Sequence, residues 1–480
     1  ANTSGANNVA VGAFALDANT TANSNTAVGM GSLSTNTTGQ FNSALGVNSL
    51  TFNVTGDSNN AFGLQALDAN TTGSTNNAFG NNALGSNTTA SNNSAFGNNA
   101  LGANTTGTQN VAVGSLALDA NTTANDNTAI GYQSLTANTT GTQNTAVGSL
   151  SLDANTTGNG NTALGYQSAT NTTTGTYNVA VGWLALDVNS TGSFNTAIGT
   201  QSLQANTTAN FNTAVGNFSL GANTTGTENV ALGVFTGDAI TTGSFNTALG
   251  SRALGATTTA NNNVGIGRSA LTSNTTGGNN VAVGFEALVS NTTADNNTAI
   301  GKDALAANTT GTLNVAVGAN ALDANTTASN NTAVGYNSLG VNTTGASNVA
   351  VGKDSLALNT TASNNTAIGL SALEQNTTGH SNVATGETAL RDNISGVQNI
   401  AIGRAALRAN TTANNNTAIG YASLLVNTTG ANNVAVGANA LDANTTGSPN
   451  EAIGVNALGA CTTGQFNSAI GHTTLGSVTT

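Results

Sequence analysis

Hydrophobic and polar positions recur every 17 residues along the chain, as the spacing of Gly12, Gly29 and Gly46 shows. The period continues without a slip to Gly471, which gives 28 copies of one unit. The unit reads N-[TV]-A-[VIL]-G-x-x-[AS]-L-x-A-N-T-T-[GA]-x-x, and its columns are numbered 1 to 17 from Asn8. A fixed period of this kind indicates a repeat architecture in which every copy adopts the same local structure.

The unit predicts one coil of a parallel β-solenoid. It is too short for a pair of helices or for a propeller blade, and its Asn, Thr and Gly residues disfavour helix interiors. A short strand such as residues 8–11 would end at Gly12 and be followed by Leu16 and a turn around residues 19–21. Stacking at the strand spacing of about 4.8 Å would give a rod roughly 130 Å long. The sequence therefore predicts an all-β fold, with residues 1–480 forming a single uninterrupted solenoid array.

The most regular columns predict structural ladders. Asn fills column 1 and Gly fills column 5 in all 28 copies, while Leu holds column 9 in 26, Asn column 12 in 23 and Thr column 14 in 27. Stacked Asn amides can bond from coil to coil, and Gly indicates a positive φ or a close backbone approach. Column 15, which is Gly or Ala, suggests a second tight place, and Thr in columns 13 and 14 suggests strand-like edges with Thr–Thr stacking. The first ladder members are Asn8, Asn25 and Asn42 in column 1; Gly12, Gly29 and Gly46 in column 5; Leu16, Leu33 and Leu50 in column 9; Asn19, Asn36 and Asn53 in column 12; and Thr21, Thr38 and Thr55 in column 14.

The strand of each unit is apolar on both faces. Neighbouring columns 3 and 4 point to opposite faces of a strand, so the Ala of column 3 can fill the narrow coil interior. Column 2 is mostly Val or Thr and column 4 is mostly Val, Ile, Leu or Phe, and that face needs a cover that the thin coil does not supply. We expect side-by-side self-association; a monomeric rod with an exposed strip is the alternative.

Charge and composition exclude several classes of protein. The chain has 7 Lys and Arg against 19 Asp and Glu, a net charge of −12, which excludes a basic nucleic-acid binder. One Cys excludes a disulfide scaffold, and no apolar run is long enough for a membrane span in this segment. The end copies resemble the middle ones and carry no capping repeat, which suggests a stretch of a longer array or coils that abut a further subunit.

Candidate chemistry is sparse. Each Asn of column 12 opens an Asn-x-Thr/Ser sequon, and we interpret it as a turn asparagine in preference to a glycosylation site. Column 10 carries eight Asp residues, none of them in adjacent coils, so solvated carboxylates are favoured over Ca²⁺ ligands. These are Asp17, Asp68, Asp119, Asp153, Asp187, Asp238, Asp323 and Asp442.

All seven basic residues follow residue 251, and four share column 6 with tyrosines: Arg268, Lys302, Lys353 and Arg404. A variable solvent position explains them better than a glycan- or cell-binding strip. His380 and His472 lack partners at catalytic or ligand spacing, and Cys461, which replaces a ladder Asn, is interpreted as a buried substitution. The sequence predicts no catalytic residue, metal or cofactor.

The motifs resemble those of a known family. Asn-Val-Ala-Val-Gly (8–12) and Asn-Thr-Ala-Ile-Gly (127–131) resemble the head repeats of YadA-type trimeric autotransporter adhesins. Gly-Tyr-Gln-Ser-Leu (131–135), followed by residues 138–141, is similar to repeats of bacteriophage tail fibres. The resemblance covers every copy and implies a trimer of left-handed parallel β-rolls, although the 17-residue unit is longer than the usual head repeat.

These observations predict an extracellular, surface-displayed structural fibre or filament, an adhesin or spacer, on a cell surface or in a virion fibre. Its expected partners are further copies of itself, as a homotrimer or filament, and a cell-surface or glycan receptor. The alternative is an ice-binding solenoid that presents Thr arrays from columns 13 and 14. An enzyme is disfavoured because a catalytic site needs acid–base clusters, commonly on inserted loops, and the array has no insertion.

Overall fold

The computed structural model describes residues 2–480, which form two compact units, residues 2–243 and residues 244–480. Each unit is a parallel β-solenoid in which the chain advances by one coil every 17 residues. Among residues 2–480 there are short β-strands, turns and bends, and no helix. The predicted all-β parallel solenoid is confirmed.

The first unit contains fourteen strands, one per coil. They are β1 (Val9–Val11), β2 (Thr26–Val28), β3 (Ser43–Leu45), β4 (Asn60–Phe62), β5 (Asn77–Phe79), β6 (Ser94–Phe96), β7 (Val111–Val113), β8 (Thr128–Ile130), β9 (Thr145–Val147), β10 (Thr162–Leu164), β11 (Val179–Val181), β12 (Thr196–Ile198), β13 (Thr213–Val215) and β14 (Val230–Leu232).

The second unit repeats the same arrangement over its own fourteen strands. They are β15 (Thr247–Leu249), β16 (Val264–Ile266), β17 (Val281–Val283), β18 (Thr298–Ile300), β19 (Val315–Val317), β20 (Thr332–Val334), β21 (Val349–Val351), β22 (Thr366–Ile368), β23 (Val383–Thr385), β24 (Ile400–Ile402), β25 (Thr417–Ile419), β26 (Val434–Val436), β27 (Asn450–Ile453) and β28 (Asn467–Ile470).

Hydrogen bonds between successive coils hold each unit together. Within a unit, every strand pairs in parallel with the next, and each residue lies opposite the residue 17 positions later, as Ala10 does with Ala27. The bonding continues outside the strands, where the Leu33 amide donates to the Ser49 carbonyl at 3.0 Å. Backbone groups that would otherwise be buried without partners are therefore satisfied by the neighbouring coil.

The interior of each coil is narrow and is filled by Ala of column 3 and Leu of column 9. Ala27, Ala44, Leu33 and Leu50 are buried almost completely. Burying one Leu side chain contributes about 2 kcal/mol, so the repeated Leu is the main apolar contribution of each coil.

The backbone at the buried Leu is left-handed, with φ of +50° at Leu33 and +54° at Leu50. Residues of columns 7 and 17 share this conformation, for example Asn48 at +53° and Phe41 at +59°. Non-glycine residues seldom adopt it, at a cost of about 1–2 kcal/mol per residue. At column 9 the cost is offset by complete burial of the side chain and by the inter-coil hydrogen bond of the Leu amide.

Glycine in column 5 has both properties that the sequence suggested. The φ angle is +131° at Gly12 and +137° at Gly29, a region that L side chains rarely adopt. A Cβ on Gly12 would also lie 2.7 Å from the Gly29 carbonyl oxygen, so the stacked backbones leave no room for a side chain.

One inter-coil hydrogen bond, from the column-14 amide, varies between coils with Gly and coils with Ala in column 15. In a Gly coil the amides of Thr139 and Thr140 both donate to the Thr156 carbonyl, at 3.0 and 3.2 Å. In the coil of Ala124 the column-13 amide of Thr122 keeps its bond at 3.3 Å, and no equivalent bond from the column-14 amide is found among residues 2–480. The coil of Ala22 keeps both bonds, since the Thr21 amide donates to the Thr37 carbonyl at 3.4 Å, so the methyl group of Ala does not by itself remove the column-14 bond.

Candidate interaction surface

The column-12 asparagines form a buried amide ladder. Asn121 Nδ2 donates to Asn104 Oδ1 of the preceding coil at 2.9 Å and to the Ala124 carbonyl of its own coil at 3.2 Å. Asn19, Asn36 and Asn53 lie in the same ladder and are buried. The predicted Asn ladder is confirmed, and both amide hydrogens of a typical member are used inside the fold.

The ladder is interrupted where another residue replaces Asn. Three buried Oδ1 atoms of ladder asparagines have no hydrogen-bond partner among residues 2–480, and each lies one coil before such a replacement. The pairs are Asn155 before Thr172, Asn223 before Ile240, and Asn444 before Cys461. The sequence located these interruptions, and the direction of the ladder decides which acceptor loses its donor.

The column-1 asparagines link side chain to backbone. Asn25 Nδ2 donates to the Gly39 carbonyl at 2.9 Å, and Asn25 Oδ1 accepts from the Asn42 amide at 2.9 Å. Asn36 Nδ2 of the column-12 ladder donates to the same Gly39 carbonyl at 2.9 Å. Asn8 makes the corresponding bond to the Ala22 carbonyl and is half-buried. The two ladders thus converge on the column-15 carbonyl and fix that corner of the coil.

The outer strand face keeps apolar side chains half-exposed. Columns 2 and 4 of a strand flank the buried Ala on the opposite face, as Thr196 and Ile198 do around Ala197. Ile130, Ile198 and Ile300 are each about 40% exposed, and residues of this kind recur on successive coils of both units. This strip is a regular apolar feature on the surface of each unit.

The Thr columns differ from the expectation of stacked strand edges. Columns 13 and 14 lie in bends outside the strands, and the column-13 hydroxyl of Thr20 donates to the Thr37 carbonyl at 3.1 Å. The column-13 hydroxyl therefore bonds to the backbone of the next Thr in the column and not to its hydroxyl, and Thr–Thr stacking stays a prediction. Thr21, Thr38 and Thr55 of column 14 are exposed and form a single file.

The column-10 carboxylates lie at the surface and are half-buried, with Asp17 as an exposed exception, so solvent reaches the others only in part. Burial raises the pKa of Asp119, and it raises the pKa of Asp153 and Asp187 against the lowering effect of hydrogen bonds from threonine side chains. Among residues 2–480, no group of three or more His, Cys, Asp or Glu residues is placed to hold a metal ion.

The basic residues of column 6 point outward and mostly bind neighbouring carboxylates. Lys302 Nζ lies 2.8 Å from Asp303, and Arg404 Nε lies 3.2 Å from Glu387 of the preceding coil. Lys353 makes a longer pair with Asp354 at 3.6 Å, and the Arg268 guanidinium lies over an aromatic ring. The local pairing fits the solvent position that the sequence predicted.

The remaining reactive residues are far from catalytic geometry. Cys461 is buried, and burial raises the pKa of its thiol, which agrees with a buried substitution. His380 is exposed and its Nδ1 lies 3.1 Å from the Ser381 hydroxyl; His472 is also exposed. Neither imidazole touches a carboxylate among residues 2–480.

Aromatic ladders are a feature that the sequence reasoning missed. The rings of Phe62, Phe79 and Phe96 stack at 4.7 and 4.8 Å in column 4. A second ladder forms in column 17, where the ring centroids of Tyr177, Phe194 and Phe211 are 5.3 Å apart at each step. The signal was present as aromatic residues at the same column of consecutive copies.

Compared with known proteins, the chain matches no protein-family model and no curated protein. Over residues 2–480, none of the elements is a helix of the length and apolarity that crossing a membrane requires.

Proposed function

We propose that this chain is a structural component of an extracellular fibre and that it assembles by side-by-side association through the outer strand face. The observation that carries the proposal is the strip of half-exposed apolar side chains in column 4, repeated on successive coils of each unit and widened by Val or Ile in some copies of column 2. Apolar patches of this extent on soluble proteins commonly mark interaction sites. Another copy of the chain offers the same periodic strip and therefore matches its spacing.

The energy available to such an interface grows with the number of coils. Covering the exposed part of one column-4 side chain such as Ile198 removes some tens of Å² from water, which contributes about 1 kcal/mol. Association costs an estimated 4–15 kcal/mol in lost rigid-body freedom. The fourteen strands of one unit repeat the contribution often enough to exceed that cost.

The resemblance to adhesin heads and tail fibres gives the finer form of the proposal. It suggests three left-handed rolls in each cross-section, displayed on a cell surface or in a virion fibre. In this arrangement the array acts as an adhesin or spacer, with a cell-surface or glycan receptor as its outer partner. The low charge and the bonding of Asn side chains within the coils support a structural role over a chemical one.

Sedimentation velocity and negative-stain electron microscopy of the full chain test the proposal. We expect an oligomer with the form of a thin fibre, and Ile198→Lys should shift it towards the monomer because a charge would be buried at the interface. Thr208→Lys, in the exposed file of the same coil, is the matched control and should leave the oligomer unchanged. A parent chain that sediments as a monomer at micromolar concentration would refute side-by-side assembly.

Ice binding is the second candidate, motivated by the exposed column-14 threonines. The column-13 hydroxyls bond to the backbone, so a two-file Thr array is not available on this side. A thermal-hysteresis measurement separates the two candidates, since a fibre component should produce no hysteresis.

A further inference from the structure

Column 17 changes its chemistry over three successive coils of the first unit. In most copies this column holds Ser, Thr, Asn or Gln, whereas here it holds Tyr177, Phe194 and Phe211. Their side chains are 55%, 49% and 55% exposed, although they stack on one another. We call these three residues the aromatic strip; it is a run of three adjacent rings in a column that is polar in most copies.

Only one ring face of the strip is open. The Tyr177 ring lies against Gly160, where an added Cβ would be 2.6 Å from Tyr177 Cδ1, and Phe194 is stacked between its two neighbours. At the other end, the Phe211 ring borders an open groove of about 520 Å³ that Glu228 and Val230 also line. An aromatic face and a carboxylate thus meet in one groove, one coil apart.

The electrostatics of the groove favour a cation. Residues 1–243 contain nine Asp and Glu residues and no Lys or Arg, so the first unit offers Glu228 no basic side chain for an ion pair. A cation over an aromatic ring and beside a carboxylate gains from both interactions. The second unit shows this geometry internally, where the Arg268 guanidinium lies 5.7 Å from the centroid of the Phe285 ring of the next coil.

We propose that the Phe211–Glu228 groove binds the guanidinium group of an arginine in a basic segment of a partner protein. Guanidinium is planar, so it can stack on the Phe211 ring and still bond to the Glu228 carboxylate, which a compact ammonium does less well. Val230 contacts the aliphatic stem, and the ring edges of Phe194 and Tyr177 receive the apolar neighbours of the arginine. The site borders the face proposed for self-association, because Val230 lies in column 2, but its two determining residues, Phe211 and Glu228, lie in column 17 outside the strand.

Binding of a fluorescently labelled peptide to the full chain, followed by anisotropy at low and physiological salt, tests this proposal. The probes are acetyl-Arg-Ala-Arg-Ala-Arg amide and its Lys and Glu counterparts. We expect the Arg peptide to bind most tightly and the Glu peptide not to bind. Glu228→Gln and Phe211→Gln should each weaken binding of the Arg peptide about threefold or more, since each removes one of the two interactions.

The array supplies matched controls. Asp126→Asn removes the same charge from the same column, where the neighbours are Gln109 and Gln143 and no ring lies beside it, and binding should change less than about twofold. Phe235→Gln removes a stacked ring from column 7 and should also leave binding unchanged. Gln occurs naturally in column 17 with φ of +59° at Gln109, so the Gln variants suit the backbone, and circular dichroism verifies their fold.

Three results would overturn the proposal. Equal losses for Glu228→Gln and Asp126→Asn would show unspecific attraction to an acidic chain. Binding that survives Phe211→Gln would remove the ring from the site. Absence of Arg-peptide binding to the parent chain at low salt would remove the site altogether.

Discussion

Gly237 and Ile240 form a compensating pair inside the first unit. Their coil lacks both the Leu of column 9 and the Asn of column 12. A Cβ on Gly237 would lie 3.1 Å from Ile240 Cδ1 and 3.2 Å from Leu220 Cδ2, so the Ile240 side chain occupies the space beside Gly237 that a column-9 Leu would need. Ile240 is fully buried, and Asn223 Oδ1 lacks the donor that a ladder Asn would provide.

Exchanging one partner at a time should destabilise the coil. Ile240→Asn leaves a cavity beside Gly237 that costs about 3 kcal/mol, and the new bond to Asn223 returns about 1 kcal/mol. Gly237→Leu overfills the same space at a cost of about 1–3 kcal/mol and adds about 1 kcal/mol for the left-handed backbone. The backbone need not rearrange to accept Leu, since φ is +56° at Gly237 and +50° at Leu220.

The double variant should recover most of the loss, because it restores the Leu and Asn pair of the other coils. We expect it to lie within about 1 kcal/mol of the parent, so that the coupling between the two positions is about 3 kcal/mol or more. Coils of a repeat array can open separately, so native-state hydrogen exchange is preferred to a single melting temperature. The informative amides are those of Leu220 and Ile240, which bond at 3.0 and 3.1 Å. A double variant that loses as much protection as the two single variants together would refute this account.

Cys461→Asn is the matched comparison, because Leu458 of the same coil is already present. The new amide should bond to Asn444 Oδ1 without any change in column 9. We expect this single substitution to stabilise the second unit by about 1 kcal/mol. If it destabilised its coil as strongly as Ile240→Asn does, the unpaired oxygen would not be the relevant difference.

Three further predictions follow from the contacts. Asn104→Asp replaces a buried donor by an acceptor that faces two oxygens, the Asn87 Oδ1 and the Gly107 carbonyl. Chemical denaturation at pH 7 should show a free energy of unfolding lower by about 3 kcal/mol. The difference should become smaller in acid, because protonation of the carboxylate restores one donor. Gly131→Ala, at a φ of +137°, should lower the free energy of unfolding by about 2 kcal/mol or more. Its control, Gly221→Ala, at an ordinary φ, should lower it by less than about 1 kcal/mol. Equal losses would contradict the argument that the positive φ requires Gly in column 5. Burial raises the native pKa of Asp119, so this carboxyl lowers stability as pH rises from the ordinary Asp pKa through the raised value. Asp119→Asn should therefore be more stable than the parent at pH 7 and equal to it at pH 3, and a pH-independent difference in thermal melting would contradict the assignment.

The sequence by itself determined the period, the fold class and the Asn ladder. Every coil stacks on a coil of the same structure, so each stacking contact requires the same type of residue at the same position of every repeat. Such positions are visible in the sequence as regular columns. Gly12 and Asn19 illustrate this, because each lies against the equivalent residue of the next or the preceding coil. The buried side of the strand followed in the same way from the small size of its Ala.

The tertiary structure decided two properties that a regular column in the sequence does not indicate: the direction of each hydrogen bond and the burial of each side chain. Leu33 is left-handed although Leu has no preference for that conformation, because the fold compensates its strain by burial. The hydroxyl of Thr20 bonds to the backbone of the neighbouring coil, and Asp119 is half-buried against the coil surface. Such outcomes depend on the atoms that the adjacent coil presents in three dimensions. For the same reason, Ile240 in the Asn ladder leaves the unpaired oxygen at Asn223, one coil earlier.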